Sequence, residues 1–358
     1  MRADNHRAAG LASVFGLLRR ELLREGAAMM RIVLALVLLL AACAPPGALS
    51  YLPGGTPGGT VQRVFVATNR NLAPSDDPGL FEQGFGEARA PRLRYAWLDV
   101  SVPAVHRAGL IEWPGQPGSG GGFVVTDEAR FDRAAEFLRA VEAAKRHPQD
   151  ETVVFVHGYS TNNAKAVYRL AQIAHDFQLP VPVVAFSWPS SGLRRGYVYD
   201  RDSVIYSRDA LEELLVTLTE GGHNVLLVGH SMGTQLVMET LRQMSIGGRG
   251  DVLARLNGVA LISPDIDEDV FLRQAARIKP FPEPFAVLVS HHDRALNLSA
   301  WLTGKPVRLG SLTDLDALKG LPVQVIDLSD YSQGDRLGHM TAFTDPAAIE
   351  MLRAITPY

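Results

Sequence analysis

Gly229-His230-Ser231-Met232-Gly233 decides how this chain is read. Ahead of it runs the apolar stretch Val225-Leu226-Leu227-Val228, led in by Gly221-Gly222. Behind it, Met232, Leu236, Val237, Leu241 and Met244 recur at helical spacing until Gly247-Gly248 stops them. A G-x-S-x-G on its own is a common pattern. Strand, sharp turn and helix around it form the setting in which the central serine is forced into a strained backbone conformation that presents its Oγ. Gly229 and Gly233 are then small because strand and helix approach closely. Ser231 is the candidate nucleophile.

Outward from this turn, strands and helices alternate. Thr152-Val153-Val154-Phe155-Val156 is a continuous apolar run, expected to be buried on both faces of a parallel sheet, and it empties into His157-Gly158-Tyr159-Ser160. A helix is expected over 162–177, a strand over 181–186 ending in Ser187-Trp188-Pro189-Ser190, a loop over 191–199 and a helix over 200–220. Downstream, the strand 258–262 runs into Ser263-Pro264-Asp265-Ile266-Asp267, and a helix follows over 268–278. The strand 285–289 runs into Ser290-His291-His292-Asp293. A weaker helical region over 296–320, a strand over 323–328 and a helix over 346–355 complete the chain. Upstream, strands are expected over 61–68 and 93–103, separated by a turn at Asn69–Asn71 and a loop over 72–91. A second loop at 114–122 and a helix from Phe131 towards His147 follow.

Such alternation calls for a mostly parallel central sheet with helices on both faces. Right-handed crossovers bring the strands' C-terminal ends to one edge, where ligand sites form. The Ser231 turn, the His157-Gly158 turn, Asp265, Asp293 and His339 all follow strand ends, so one edge gathers them.

Composition narrows the class. Of 358 residues, 47% are apolar and 20% charged, enough for a sizeable core. The net charge is -3 and no basic stripe is present, which argues against nucleic acid as a partner. No metal constellation or cofactor loop is read, so neither a metal nor a cofactor is expected. The single cysteine, Cys43, excludes an internal disulfide.

That cysteine closes an apolar run over 32–42, which is shorter than the roughly 20 residues of a spanning helix. With Arg31 ahead of it, the run fits a signal-peptide core. Leu40-Ala41-Ala42-Cys43 resembles the bacterial lipobox, which makes Cys43 a candidate for lipidation. Ala44 after it, by resemblance to lipoprotein sorting in Gram-negative bacteria, implies an outer-membrane anchor facing the periplasm. The expected organisation is therefore an upstream extension over 1–29 preceding the true start, a signal peptide over 30–42, lipidated Cys43 with a Gly/Pro-rich tether to residue 60, and one folded domain over 61–358.

Several stretches together resemble the alpha/beta-hydrolase fold, and more narrowly an uncharacterised bacterial group of the esterase/lipase superfamily. They are Phe65-Val66-Ala67-Thr68-Asn69-Arg70, Phe155 to Tyr159, Phe186 to Ser190, Tyr199-Asp200-Arg201 with Ser203 and Ser207, Gly229 to Gly233, Ser263 to Asp267, and Asp293-Arg294-Ala295-Leu296. The resemblance implies the chain order serine, acid, histidine. His291, His292 and His339 are the histidines after Ser231. His339, in a glycine-flanked loop before the last helix, is the expected base. Asp293 is the expected acid, with Asp265 and Asp267 as alternatives that could instead cap a helix. His230 is expected to point away as a packing residue. Asp200, Arg201 and Ser207 either brace the loop over the site or cap a helix.

A serine hydroxyl needs a base within hydrogen-bond reach, and the base needs a group that fixes its tautomer. Attack on an ester creates an oxyanion, and each donor to it supplies about 3 kcal/mol. The backbone N–H groups of Met232 and Tyr159 are the expected donors. Trp188, Tyr197 and Tyr199 offer either an aromatic rim or core packing. The resemblance thus implies a serine hydrolase acting on a small-molecule or lipid ester. An acyltransferase with the same residues and a non-catalytic binding scaffold of the cell envelope are the alternatives.

Overall fold

The computed structural model describes residues 47–74, 81–115, 121–303, 308–312, 318–331 and 333–355. The expected upstream extension over 1–29, the signal peptide over 30–42 and Cys43 lie outside the described residues. No helix among the described residues is long and apolar enough to cross a membrane.

The described strands form a nine-stranded sheet. They are β1 (Thr60–Pro74), β2 (Gln83–Val102), β3 (Val124–Phe131), β4 (Thr152–Val156), β5 (Val183–Phe186), β6 (Val225–His230), β7 (Leu256–Ile262), β8 (Phe285–Val289) and β9 (Gln324–Asp327), in the order β3-β2-β1-β5-β4-β6-β7-β8-β9. From β1 to β9 across the sheet every neighbouring pair is parallel, whereas β2 runs antiparallel to both β1 and β3.

The helices are α1 (Ala134–Ala143), α2 (Asn163–Asp176), α3 (Tyr197–Thr219), α4 (Met232–Ile246), α5 (Gly250–Leu253), α6 (Glu268–Ala275), α7 (Arg294–Thr303), α8 (Thr341–Thr344) and α9 (Pro346–Ile355). The continuous apolar strands serve two cores at once. Val154 and Val156 join Phe65 and Ala67 on one face, under Phe137 of α1, Leu211 and Leu214 of α3, and Leu236 of α4. Val153 and Phe155 join Val64 and Val66 on the other, under Val167 and Leu170 of α2, Phe343 of α8 and Leu352 of α9. Alternate side chains of a strand point to opposite faces, so a strand buried on both sides has no polar period to show.

Three expectations change. Residues 69–71 and, within the expected loop over 72–91, residues 72–74 and 83–91 are instead the continuation of β1 and the first part of β2, antiparallel partners whose register shifts at Arg70. A strand not foreseen, β3, pairs with β2. And residues 47–59 are not a free tether. Tyr51 bridges Val125, Thr56 is buried with its N–H donating to Ser101 Oγ at 3.1 Å, and the Ser50 N–H donates to the Tyr168 hydroxyl at 2.9 Å. Glycine and proline shape this segment into turns, while Tyr51 and Thr56 fasten it to the sheet edge.

Candidate active site

The β6–α4 turn has the geometry its sequence requires. Ser231 adopts φ 52° and ψ -125°, in a region that side chains other than glycine rarely occupy and that costs about 1–3 kcal/mol. The surroundings hold it there. Its N–H donates to Ile262 O at 2.9 Å, and its carbonyl accepts from Thr234 N, Thr234 Oγ1 and Asp265 N. Gly233 is required by contact: a Cβ there would lie 2.3 Å from His157 O. At Gly158 a Cβ would lie 2.8 Å from Ser231 Cβ. The two glycines let the ends of β4 and β6 close on each other, which brings the Tyr159 and Met232 backbones to the same serine. Among the described residues neither of these two N–H groups has an acceptor.

His339 sits in the turn before α8. The Asp335 carboxylate fixes that turn by accepting from Leu337 N, His339 N and Met340 N. Arg294 N donates to Leu337 O at 2.8 Å, which ties it to the turn after β8. That turn carries Asp293, fully buried, whose Oδ2 accepts from His339 Nδ1 at 2.7 Å and whose Oδ1 accepts from Leu296 N at 3.0 Å. A carboxylate only accepts, so His339 carries its proton on Nδ1 and leaves Nε2 as the acceptor. Burial pulls the His339 pKa down, but the Asp293 hydrogen bond and charge, with Asp265 and Asp335 adding to them, hold it above its ordinary value.

The two alternative acids are occupied elsewhere. Asp265 accepts from Ser299 Oγ at 2.6 Å and Tyr197 OH at 3.1 Å, with Arg308 Nε at 3.3 Å. Asp267 caps α6 by accepting from Asp269 N at 3.2 Å. Asp293 is therefore the carboxylate that the fold brings against His339.

Ser231, His339 and Tyr159 line one cavity of about 630 Å³, within the range of small-molecule pockets. Ser231 is only 4% exposed, so access to it runs through this cavity. Ile111, Trp113, Tyr197 and Leu296 give it apolar and aromatic walls. Of the aromatic residues expected at a rim, only Tyr197 lines it. Trp188 is fully buried, and Tyr199 lies under Arg89 with its hydroxyl on Glu87 O.

Several supporting residues were misread or missed in the sequence. His230 does not point away from the site. Its Nε2 donates to His339 O at 3.2 Å and its ring centroid lies 4.8 Å from that of His339. Burial and the His339 charge keep it neutral, well below its ordinary pKa. Arg70, fully buried, donates to Ser187 Oγ at 2.9 Å, Ser190 O at 3.1 Å and Thr161 O at 2.8 Å, so one guanidinium clamps the turns after β4 and β5. Burial pushes it down to about 10, still charged at neutral pH. Burial and the Arg70 charge push His157 down to about 3. The His157 ring stacks on Trp188 at 4.8 Å. Asp200 braces rather than caps: it accepts from Ser160 N at 3.1 Å, Ser190 Oγ at 2.6 Å and Ser191 N at 2.7 Å. Ser207 Oγ accepts from Asn69 Nδ2 at 3.0 Å.

One cluster among the described residues has metal-ligating groups, His106, His175 and Asp176, with ligand atoms within 4.8 Å of one another. Both His106 ring nitrogens already face carboxylates, Glu112 at 2.7 Å and Asp176 at 2.9 Å. Burial lowers the His106 pKa, but these two partners raise it overall, as a doubly donating imidazolium requires. Glu112, His106 and Asp176 thus form an ion triad that ties the segment after β2 to the end of α2.

Residues 133–355 match the family described as Alpha/beta hydrolase of unknown function (DUF900), and the chain belongs to that family. The match contains Ser231, Asp293 and His339 and begins after β3. Among curated proteins none matches the chain. Solved structures with similar coordinates include a predicted CIB-like hydrolase from Thermoplasma acidophilum, 12% identical, covering 83% of this chain and 100% of that one with a TM-score of 0.37. An acyl-protein thioesterase 2 of Zea mays is 14% identical, covering 59% and 95%, with a TM-score of 0.36. An inhibited esterase B from Lactobacillus rhamnosis is 14% identical, covering 71% and 87%, with a TM-score of 0.38.

Proposed function

We propose that this alpha/beta hydrolase cleaves carboxylic esters through an acyl-enzyme on Ser231, with His339 as base and Asp293 as its orienting acid. The reading is carried by the 2.7 Å Asp293–His339 hydrogen bond beside a cavity that Ser231 and His339 both line. In the proposed reaction, His339 Nε2 takes the proton from Ser231 Oγ as Oγ bonds to the ester carbonyl carbon. The oxyanion accepts from the Met232 and Tyr159 N–H groups. The C–O bond to the alcohol then breaks while His339 returns the proton to the leaving oxygen. Water repeats the two steps on the acyl-serine and releases the acid. Asp293 keeps Nδ1 protonated throughout and stabilises the imidazolium.

Ser231→Ala tests this. The variant should lose at least about 10⁴-fold in kcat on 4-nitrophenyl esters and all labelling by a fluorophosphonate. Activity retained in the variant would end the reading.

The same proposal places the domain on the outer membrane, facing the periplasm, through a lipid on Cys43. Its support is sequence: Leu40-Ala41-Ala42-Cys43 holds the chain's single cysteine. Cys43→Ser should release the protein from the membrane fraction, and undiminished membrane association would refute the anchor.

A further inference from the structure

The cavity beside Ser231 has an uneven charge. Lys165 and Arg169, both on α2, line it together with Arg194 from the segment before α3 and Arg294 from the start of α7. Lys165 and Arg169 are four residues apart, so they share one face of their helix. Their hydrogen bonds go to neutral oxygens: Lys165 Nζ to Ser160 O at 3.3 Å, and Arg169 Nη1 to Gly109 O at 3.2 Å and Gln172 Oε1 at 2.5 Å. Among the described residues neither is in an ion pair; the charges of Asp176 and Asp335 act on Arg169, but neither carboxylate is in contact with it. Burial and the Arg194 charge lower the Lys165 pKa, against a weaker pull from Glu87, so two cations act on each other across this wall. The charge of Arg169 reaches His230, next to the candidate base.

The negative charge that lines the cavity, Asp265, is already engaged by Ser299, Tyr197 and Arg308. Cations withdrawn from water with no acid in direct contact are costly, and a cleft lined by one sign of charge concentrates ligands of the other.

We infer that the Lys165–Arg169 wall is an anion subsite, and that the esters this cavity takes carry a carboxylate or phosphate group on that side of the scissile bond. The chemistry at the ester rests on the hydrolase reading of Ser231; the charge preference rests on the cations. The apolar walls from Ile111, Trp113 and Leu296 leave room for a short hydrocarbon part beside the anion.

Binding to Ser231→Ala protein separates the two readings, because it needs no turnover. Two matched pairs serve as probes. For carboxylate they are mono-4-nitrophenyl glutarate against 4-nitrophenyl valerate; for phosphate, 1-butyryl-glycerol 3-phosphate against 1-butyryl-glycerol. In at least one pair the charged ester should bind about tenfold tighter, which is the effect of one charge-assisted hydrogen bond of roughly 1.4 kcal/mol. The pair with the larger gap names the anion together with the side of the ester, acyl or alcohol, that meets the wall. Adding Lys165→Gln or Arg169→Gln should shrink the gap to within about twofold, Lys165→Arg should restore it, and added salt should narrow it in the unaltered wall. Equal binding of charged and neutral esters, or a gap untouched by both glutamine variants, overturns the inference. A gap in a protein whose wild type hydrolyses none of the four esters leaves the subsite standing and removes the hydrolase reading instead.

Discussion

The sheet has two unlike parts. From β4 to β8 the strands are four to seven residues long, parallel, and apolar along nearly their whole length. At the other edge, β1 and β2 are 15 and 20 residues long, pair antiparallel and carry polar residues throughout. The parallel part, with β9 at its far edge, supplies every candidate reacting group, each on a turn or loop that follows a strand's C-terminal end. The antiparallel part supplies no reacting group, yet it sends Arg70 under the turns that surround the cavity. Chemistry and bracing are thus divided between regions, and only the first lies within residues 133–355, the span that matches the family.

The sharpest test of that division is Asp293→Asn, on the parallel side. It should lower kcat by about 10³–10⁴-fold while leaving the fold intact, since the wrong imidazole tautomer is then favoured. The pH profile should change with it. In the wild type the raised His339 pKa puts the acidic limb of kcat/KM above about 6.5, because the base must be neutral to act. In the variant, burial dominates and the limb moves to lower pH. The linked stability runs the other way. The charged His339–Asp293 pair contributes fully below the unfolded histidine pKa of about 6.5, and that contribution is lost as pH rises through the higher folded value. A limb unmoved by Asp293→Asn would mean that the acid has no hold on the base.

A smaller effect is expected from the antiparallel side. Arg70→Met leaves Ser187 Oγ, Ser190 O and Thr161 O without their buried donor and should cost about 3 kcal/mol in urea unfolding. A change below about 1 kcal/mol would reduce this edge to packing. A loss of kcat equal to that of Asp293→Asn, at full stability, would break the division altogether.

The two parts also differed in how well the sequence could be read. Strands buried on both faces carry a plain signal, and β4 and β8 were read to the residue. The Ser231 turn was legible because its glycines and flanking periods are local. Asn69-Arg70-Asn71 looks like a turn by composition, but Arg70 and Asn69 find partners at Ser187 and Ser207, and those contacts override local preference. The short edge strand β3 mixes Val124 and Val125 with Asp127 and Glu128, so no clean alternation marks it. Asp265 and Asp293 follow neighbouring strands, so the sequence favours Asp293 but leaves Asp265 open as an alternative. What separates them is Tyr197, Ser299 and Arg308 converging on one of the two, which no spacing reveals. His230 was misread because its partner, His339, lies 109 residues further on.

Arg70 has a further consequence, in time rather than in space. It precedes its partner Ser187 by 117 residues of chain. Contacts so far apart in sequence carry a large loop-closure cost, so β5 is expected to dock on β1 later than β1 pairs with its neighbour β2. Through that interval the β1–β2 pair holds a cation whose acceptors are not yet made and a strand edge that is not yet covered. Arg70 is satisfied only when the turns after β4 and β5 reach it, so docking of β5 onto β1 both covers an open strand edge and gives a buried cation its acceptors in one step.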